Sequence, residues 1–493
     1  MTAVDSNVET NDDSSVDSNV KAAVDSAAMA DEHMTSTIPA IVADLRQSFD
    51  AGVLRTLQSR RIQLDQLRRM LAEHEDKIMA ALEIDLNKAP MEAYATEIGL
   101  VLAEIKYALK HLDSWCASDK VKVGLTFKPG SAEIRPEPLG VVLIIAPWNY
   151  PAQLLLAPLV AAIAAGNTVV LKPSEVAAAT SSVMAELIPQ YLDERIVTVV
   201  TGGVDETTEL LAQRFDHIFY TGNGNVGRIV MAAAAQHLTP VTLELGGKSP
   251  AIVTADADIE VAARRIAWGK FVNAGQTCVA PDYVLVDASV EDALMGALLR
   301  AVHDFYGDDP KLSSDYGRII NSKHWDRITG LLDGGGFDSI ICGGHGDRVA
   351  KYIPPTVLAG VQPNAPIMAE EIFGPILPVL AVEGLDDAIA FVNGRDKPLA
   401  LYIFSSDADA VERTIARTSA GGVCVNHTVL HVGVGELPFG GVGASGMGAY
   451  HGKAGFDTFT HRKSILTKPV RPDPPIMYPP YKGWKYKLLR RVM

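Results

Sequence analysis

Three observations predict an α/β fold built on parallel sheets. First, residues 139–147 (LGVVLIIAP) are apolar throughout, and 168–172, 196–200 and 217–220 are mostly apolar rather than alternating. A strand of that kind is buried on both faces, which requires helices above and below it. Second, stretches with helical character separate these strands, giving the β-α-β rhythm of a parallel sheet. Third, the rhythm restarts after Gly246, with a strand at 249–254 and a helix at 259–272. A second α/β domain, running over 246–428, is the simplest account of the restart. No repeat unit of solenoid type is present.

Taken in order, the chain opens on an acidic tail, residues 1–38. It carries Asp5, Glu9, Asp12, Asp13, Asp17, Asp25, Asp31 and Glu32 against Lys21 and has no aromatic residue. Such a segment cannot bury enough apolar area to offset its ordering entropy and is expected to be disordered. A short helix at 18–30 is compatible with its pattern. From 38 to 115 the pattern is helical: Leu54, Leu57, Ile62, Leu64, Leu67, Met70 and Leu71 recur at three and four, and a second amphipathic run covers 92–115. Residues 121–138, with Pro129-Gly130 between extended segments, read as a hairpin leaving the surface. The first α/β domain then takes 39–120 together with 139–245. In its helix at 152–165, Gly166-Asn167 supplies the C-terminal stop. The glycine-rich stretch 429–470 is expected to return to the hairpin arm. The last piece, 471–493, is basic and interleaved with Tyr478, Tyr481, Trp484 and Tyr486. It fits a tail packed on the protein or a partner, and a membrane surface is the alternative.

At 493 residues the chain is long enough for two or three domains with a sizeable core. A formal net charge of −15 excludes nucleic acid as a general partner, because phosphate binding needs basic stripes. The four cysteines, Cys116, Cys278, Cys342 and Cys424, are widely spaced, so neither a zinc site nor a disulfide framework is expected. A reducing cytoplasm suits them. No secretory leader is read at the start of the chain. The most apolar run, 154–165, contains Pro158 and falls short of the roughly 20 residues a membrane span needs.

Chemistry concentrates in a few stretches. FVNAGQTCVAP (271–281) sets Cys278 in a short loop, with Gly275 free to turn sharply. A thiolate there would be a strong nucleophile, activated by a local positive field; a lone cysteine is otherwise an ordinary small core residue. TGNGNVG (221–227) follows a strand and opens a helix, so Gly222, Gly224 and Gly227 satisfy the dinucleotide-binding spacing. That fingerprint looks about 20 residues on for a ribose-binding acid, where Glu244 stands. Asn149, in PWNYP at the end of a strand, can donate to a developing oxyanion or simply form a turn. His427 and His451 offer a possible base for a Cys/His pair.

The pairing of LELGGKSP (243–250) with GQTC (275–278) resembles the aldehyde dehydrogenase superfamily. GKFVNAGQTCVAPDYVL and LPFGGVGASGMGAYHGKAGFDTFTHRKS are similar to its class 3 branch, and the resemblance runs from about residue 40 to the end of the chain. It implies a Rossmann-like NAD-binding domain, a second catalytic α/β domain and a β-hairpin arm for oligomerisation, with a homodimer as the assembly. It assigns Cys278 as nucleophile, Glu244 as the base for hydrolysis in place of a ribose ligand, and Asn149 as an oxyanion donor. It sets Lys172 and Glu175 at the adenine ribose, Gly222, Asn223 and Gly227 near the phosphates, Glu371 and Phe373 on the nicotinamide side, and Trp148 and Leu245 among the cofactor-binding residues. Asn223 and Gly224 depart from the small hydroxylated residues the family commonly carries there, which leaves backbone contact to the phosphate. A carboxylate at 175 repels a 2′-phosphate and favours NAD, with NADP possible. No metal is implied. The implied activity is oxidation of medium-chain aliphatic or aromatic aldehydes to acids through a thioester. The alternatives are transfer of the acyl group to coenzyme A, and a non-catalytic relative that binds NAD.

Overall fold

The computed structural model describes residues 37–492. The acidic tail up to residue 36, including the helix considered for 18–30, lies outside the described residues.

Three helices open the fold. α1 (Ile38–Ala51) starts with Pro39 in its first turn and stops at left-handed Gly52, whose N–H returns to Ser48 and Phe49. α2 (Leu57–Glu73) is capped by the Thr56 hydroxyl, which accepts from Ser59 N–H at 3.0 Å. α3 (Glu75–Leu86) ends at left-handed Asn87. Pro90 begins the next helical segment, Pro90–Ala93, which passes through a π turn at Tyr94–Ile98 into α4 (Gly99–Cys116).

β1 (Asp119–Val121) and β2 (Ser131–Pro138) form the expected hairpin. The main partner of β2 is distant in sequence, however. It is β16 (Thr460–Thr467), paired antiparallel along its whole length.

The first large sheet holds β3 (Val141–Ile145), β4 (Thr168–Lys172), β5 (Val197–Val199), β6 (His217–Thr221) and β7 (Val241–Glu244) in the order β7-β6-β3-β4-β5, all parallel. Three of its crossovers are α5 (Gln153–Ala165), α6 (Ala178–Tyr191) and α7 (Gly224–Ala235). Every residue of α5 is buried, because the sheet lies on one side of it and α4 with the C-terminal α9 (Gly452–Thr458) on the other. Truncating its Leu159 to alanine would cost about 2–5 kcal/mol.

The second sheet has the order β10-β11-β12-β9-β8-β13-β14, parallel except for the antiparallel edge strand β10. Its strands are β8 (Pro250–Val253), β9 (Tyr283–Asp287), β10 (Ser339–Cys342), β11 (Thr356–Ala359), β12 (Ile376–Val382), β13 (Ala400–Phe404) and β14 (Gly422–Val425). Helix α8 (Ile259–Phe271) leads directly into the Cys278 loop.

The glycine-rich stretch does more than return to the arm. β15 (Gly446–Met447) adds to the first sheet, antiparallel to β7, with Gly446 opposite Glu244. Adding any side chain at Gly446 would drive a carbon to 2.1 Å from the Leu243 carbonyl oxygen. The basic C-terminal piece ends in the helix Gly483–Val492, with Trp484 and Tyr486 exposed. Among the described residues no helix is long and apolar enough to cross a membrane.

Candidate active site

Parallel sheets leave a crevice at the carboxyl ends of their strands. Here two sheets each contribute loops to one cleft. The loop after β3 brings Trp148 and Asn149, β7 ends on Glu244, and the loop after α8 brings Cys278. The loop before β12 brings Glu371 and Phe373 across from them. Trp148 meets Phe373 edge-on, with ring centroids 5.4 Å apart, although 225 positions separate them.

The Cys278 loop is tightly wound. Asn273, Ala274 and Gly275 are all left-handed, at φ of 52°, 50° and 75°. The turn that the sequence places at Gly275 therefore spreads over three residues. For Ala274 this conformation costs about 1–2 kcal/mol. A side chain at Gly275 would clash with the Gly374 carbonyl at 2.3 Å, so the cysteine loop and the Phe373 loop touch backbone to backbone. Gln276 is fully buried and spends its side chain on the loop: it donates to Asn273 and Arg318 carbonyls and accepts from Ile320 N–H.

Asn149 is locked onto this loop. Its side-chain amide donates to the Gln276 carbonyl at 3.0 Å, two residues before the thiol. That bond uses one of the two amide N–H groups. Its own carbonyl accepts from Asn273 Nδ2 at 2.8 Å and Lys88 Nζ at 3.1 Å. Tyr150 shares a 2.6 Å hydrogen bond with Thr277.

Glu244 faces the same cleft in a different state. It is 2% exposed, and neither carboxyl oxygen has a protein hydrogen-bond partner. Burial pushes its pKa well above the ordinary carboxyl range. The positive field expected around Cys278 is not found. Burial first, then the nearby Glu371 and Glu244 carboxyls, push the thiol up to about 12. Cys278 is half-buried and free of any disulfide.

The residues assigned to a dinucleotide lie at or after the carboxyl ends of β3, β4, β6 and β7 or in the loop before β12. Lys172, buried at the end of β4, donates to the Pro173 carbonyl at 2.8 Å and pairs with exposed Glu175 at 3.4 Å. Gly222 and Gly227 flank the start of α7, and Gly227 packs closely under Leu245. The α7 N-terminus differs from a bare anion site, because Asn223 Oδ1 accepts from Asn225 and Val226 N–H at 3.0 Å each. A phosphate there replaces this cap or sits beyond it. Glu371 lies against the Gly246-Gly247 backbone, and burial raises it to about 8. Its loop is pinned by Asp282, which accepts from Ile372 N–H at 2.9 Å, and by Arg327, which donates to the Ile372 carbonyl at 2.8 Å. Lys248, from the LGGKSP motif, pairs with Asp282 and donates to the Ile367 and Glu370 carbonyls. The orphaned Glu244 oxygens and the unpartnered Thr221 hydroxyl, both at strand ends, fit a crevice built to receive a polar ligand.

The histidines do not build a Cys/His pair. His451 stacks on Phe439 at 5.4 Å, and burial lowers it to about 4, so it is neutral. His427 bonds locally at Thr428 and lies edge-on to Trp268. Beside His451, a cavity of about 190 Å³ is lined by Leu100, Tyr107, Gln153, Ala157, Val432 and Glu104 among others. Buried Tyr450 packs edge-on against His451, with ring centroids 4.3 Å apart, and burial, then the Glu244 and Cys278 charges, push its phenol up.

Sequence reasoning missed Lys88, Glu97 and Asn273. Lys88 and Glu97 lie in a helical region read only for its apolar face, and nothing local marks them as inward-facing. Asn273 stands within the cysteine motif, yet its left-handed backbone is set by contacts from elsewhere.

The Aldehyde dehydrogenase family profile matches residues 9–465. The dimeric NADP-preferring aldehyde dehydrogenase of Canis lupus familiaris is 50% identical over 447 residues, covering 90% of this chain and 98% of the relative. Aldehyde dehydrogenase family 3 member A2 of Rattus norvegicus is 52% identical over 441 residues, covering 89% and 90%. The solved structure described as the substrate bound state of Staphylococcus aureus AldH aligns with a TM-score of 0.90 at 48% identity, covering 93% of this chain and 99% of that one.

Proposed function

The chain belongs to the aldehyde dehydrogenase family, and on that premise we propose that Cys278, Asn149 and Glu244 carry its NAD(P)-dependent oxidation of an aldehyde to a carboxylic acid. The observation that carries the assignment is the juxtaposition in one cleft. An amide donor is tethered two residues from a thiol, and a buried carboxyl with no partner of its own faces them.

The Cys278 thiol gives its proton to water, and the sulfur attacks the aldehyde carbon. A C–S bond forms and the carbonyl electron pair moves to oxygen. The second Asn149 amide N–H and the Cys278 backbone N–H donate to that oxyanion. When bound, NAD(P) supplies the acceptor for the hydride lost from the same carbon. Cys278 is then left as a thioester. Glu244 takes a proton from water, the water oxygen adds to the thioester carbon, and the C–S bond breaks to release the acid. The raised pKa of Glu244 makes it a stronger base once ionised. Lys172 and Glu175 would hold the adenine ribose, and Glu371 with Phe373 the nicotinamide side. The Glu175 carboxylate favours NAD, and its 3.4 Å pairing with Lys172 offsets part of that charge and leaves NADP usable.

The cavity beside His451 supports medium-chain aliphatic or aromatic substrates, because its walls at Leu100, Ala157 and Val432 are apolar. A homodimer is supported by the arm, where Leu125 is 84% exposed and Phe127 and Leu466 about half exposed; light scattering tests it. The four free cysteines suit a reducing cytoplasm.

The test is NADH formation with short, medium-chain and aromatic aldehydes, first with NAD and then NADP, without coenzyme A. Turnover to free acid supports the hydrolytic assignment. Product only on adding coenzyme A would favour acyl transfer, and binding of NAD with no turnover would favour a non-catalytic role.

A further inference from the structure

A buried ion pair lies outside every motif. Lys88 and Glu97 have fully buried side chains and contact each other directly. Replacing such a pair by apolar residues is often neutral or stabilising, so its presence calls for another reason. Its remaining bonds supply one. Lys88 Nζ donates to the Asn149 carbonyl at 3.1 Å and lies 3.9 Å from the centre of the Tyr150 ring. Glu97 Oε2 accepts from the Ala152 and Gln153 N–H groups at 3.1 and 2.9 Å. The pair thus grips the PWNYP loop at two points, one on each side of Tyr150. Tyr150 in turn bonds Thr277, the residue before the nucleophile.

Local structure is arranged to aim both groups inward. Left-handed Asn87 ends α3 just before Lys88, and Pro90 restarts the chain as helix. The π turn Tyr94–Ile98 contains Glu97 and rotates it relative to a regular helix. Such turns cost hydrogen-bond quality and recur at functional sites.

We propose that Lys88, held by Glu97, is a positioning residue for the oxidation: it fixes the Asn149 peptide, and through Tyr150 the Thr277-Cys278 segment, so that amide donor and thiol converge on one carbonyl oxygen. The proposal rests on Asn149 being the oxyanion donor. Lys88 touches neither substrate nor cofactor, and it acts through geometry alone.

The test is Lys88→Met combined with Glu97→Gln, which removes both charges together and leaves an amide oxygen for the Ala152 and Gln153 N–H groups. Steady-state kinetics, NAD affinity by fluorescence and thermal unfolding are measured for this variant, for Asn149→Ala and for the combination of all three changes. A donor displaced by about 1 Å costs on the order of 10²-fold. That loss is expected in kcat, with aldehyde KM and NAD affinity unchanged. Adding Asn149→Ala to the altered pair should then cost little more than Asn149→Ala alone, because both remove the same interaction. A parent-like kcat, or losses that multiply independently, would overturn the proposal. If Asn149→Ala itself turned over at the parent rate, the oxyanion assignment would fall instead, whatever the pair does. Should the double variant not fold, Lys88→Arg keeps the charge opposite Glu97 but moves the donor off the Asn149 carbonyl. A parent-like kcat there overturns the proposal, and a lower kcat at unchanged NAD affinity supports it.

Discussion

Asn149 and Glu244 are equally buried, each 2% exposed, and face one cleft, yet the protein treats them in opposite ways. Asn149 is held from both ends: its amide is bonded to Gln276, and its carbonyl is bonded to Asn273 and Lys88. Glu244 has no hydrogen bond to either oxygen. An oxyanion donor works by not moving when charge develops, so bonds that fix it aid the reaction. A base must exchange a proton with water, and permanent partners would stabilise its ionised form and weaken it. The contrast is one of roles: fixed geometry on one wall, stored desolvation on the other.

The largest expected effect lies outside the contrast and sets its floor. Cys278→Ala should abolish NADH formation with every aldehyde while NAD still binds, as read by absorbance and by fluorescence titration. Next comes the unsatisfied wall. Glu244→Gln should retain a first-turnover burst of NADH and slow the steady state by about 10²–10⁴-fold. The parent steady-state rate should rise toward alkaline pH as the raised Glu244 ionises, and this limb should flatten in the variant. A parent-like steady state in Glu244→Gln would remove it as base.

Asn149→Ala should behave in the reverse manner. The burst itself slows by about 10²–10³-fold, because oxyanion formation precedes hydride loss. Stability separates the two walls by sign. Glu244→Leu should raise unfolding free energy by about 1–3 kcal/mol, since it removes an unsatisfied buried group. The gain should grow as pH rises from the ordinary carboxyl range toward the raised folded value, because the unfolded chain ionises there first. Asn149→Ala should lower stability by about 1 kcal/mol. Equal signs in denaturant titrations would erase the contrast. The smallest effect is on cofactor choice. Glu175→Gln should shift the NADP/NAD ratio of kcat/KM a few-fold toward NADP, the size of a partly exposed charge.

Much of this was legible in the chain. Strands buried on both faces announce themselves as mostly apolar runs, so β3, β4 and β6 fall close to where composition puts them. Gly166 stops α5 with φ of 98°, as a glycine in that place should. The candidate nucleophile Cys278 and its proposed partners sit inside motifs whose residues are contiguous. The short partnerships were less legible: β15 pairs over only two residues with β7, and β2 finds its long partner more than 300 positions away.

By itself the sequence determined the fold class and the order of the strands along the chain, because periodicity encodes these within a few residues, and the resemblance of its motifs to the family named the candidate reacting groups. Tertiary structure alone decided what those groups experience. The thiol pushed up to about 12 rather than lowered, the Glu244 carboxyl without partners and the Lys88–Glu97 pair beneath Asn149 depend on atoms brought together from distant segments. Burial and electrostatic contact are properties of distance in space, and separation along the chain does not specify them.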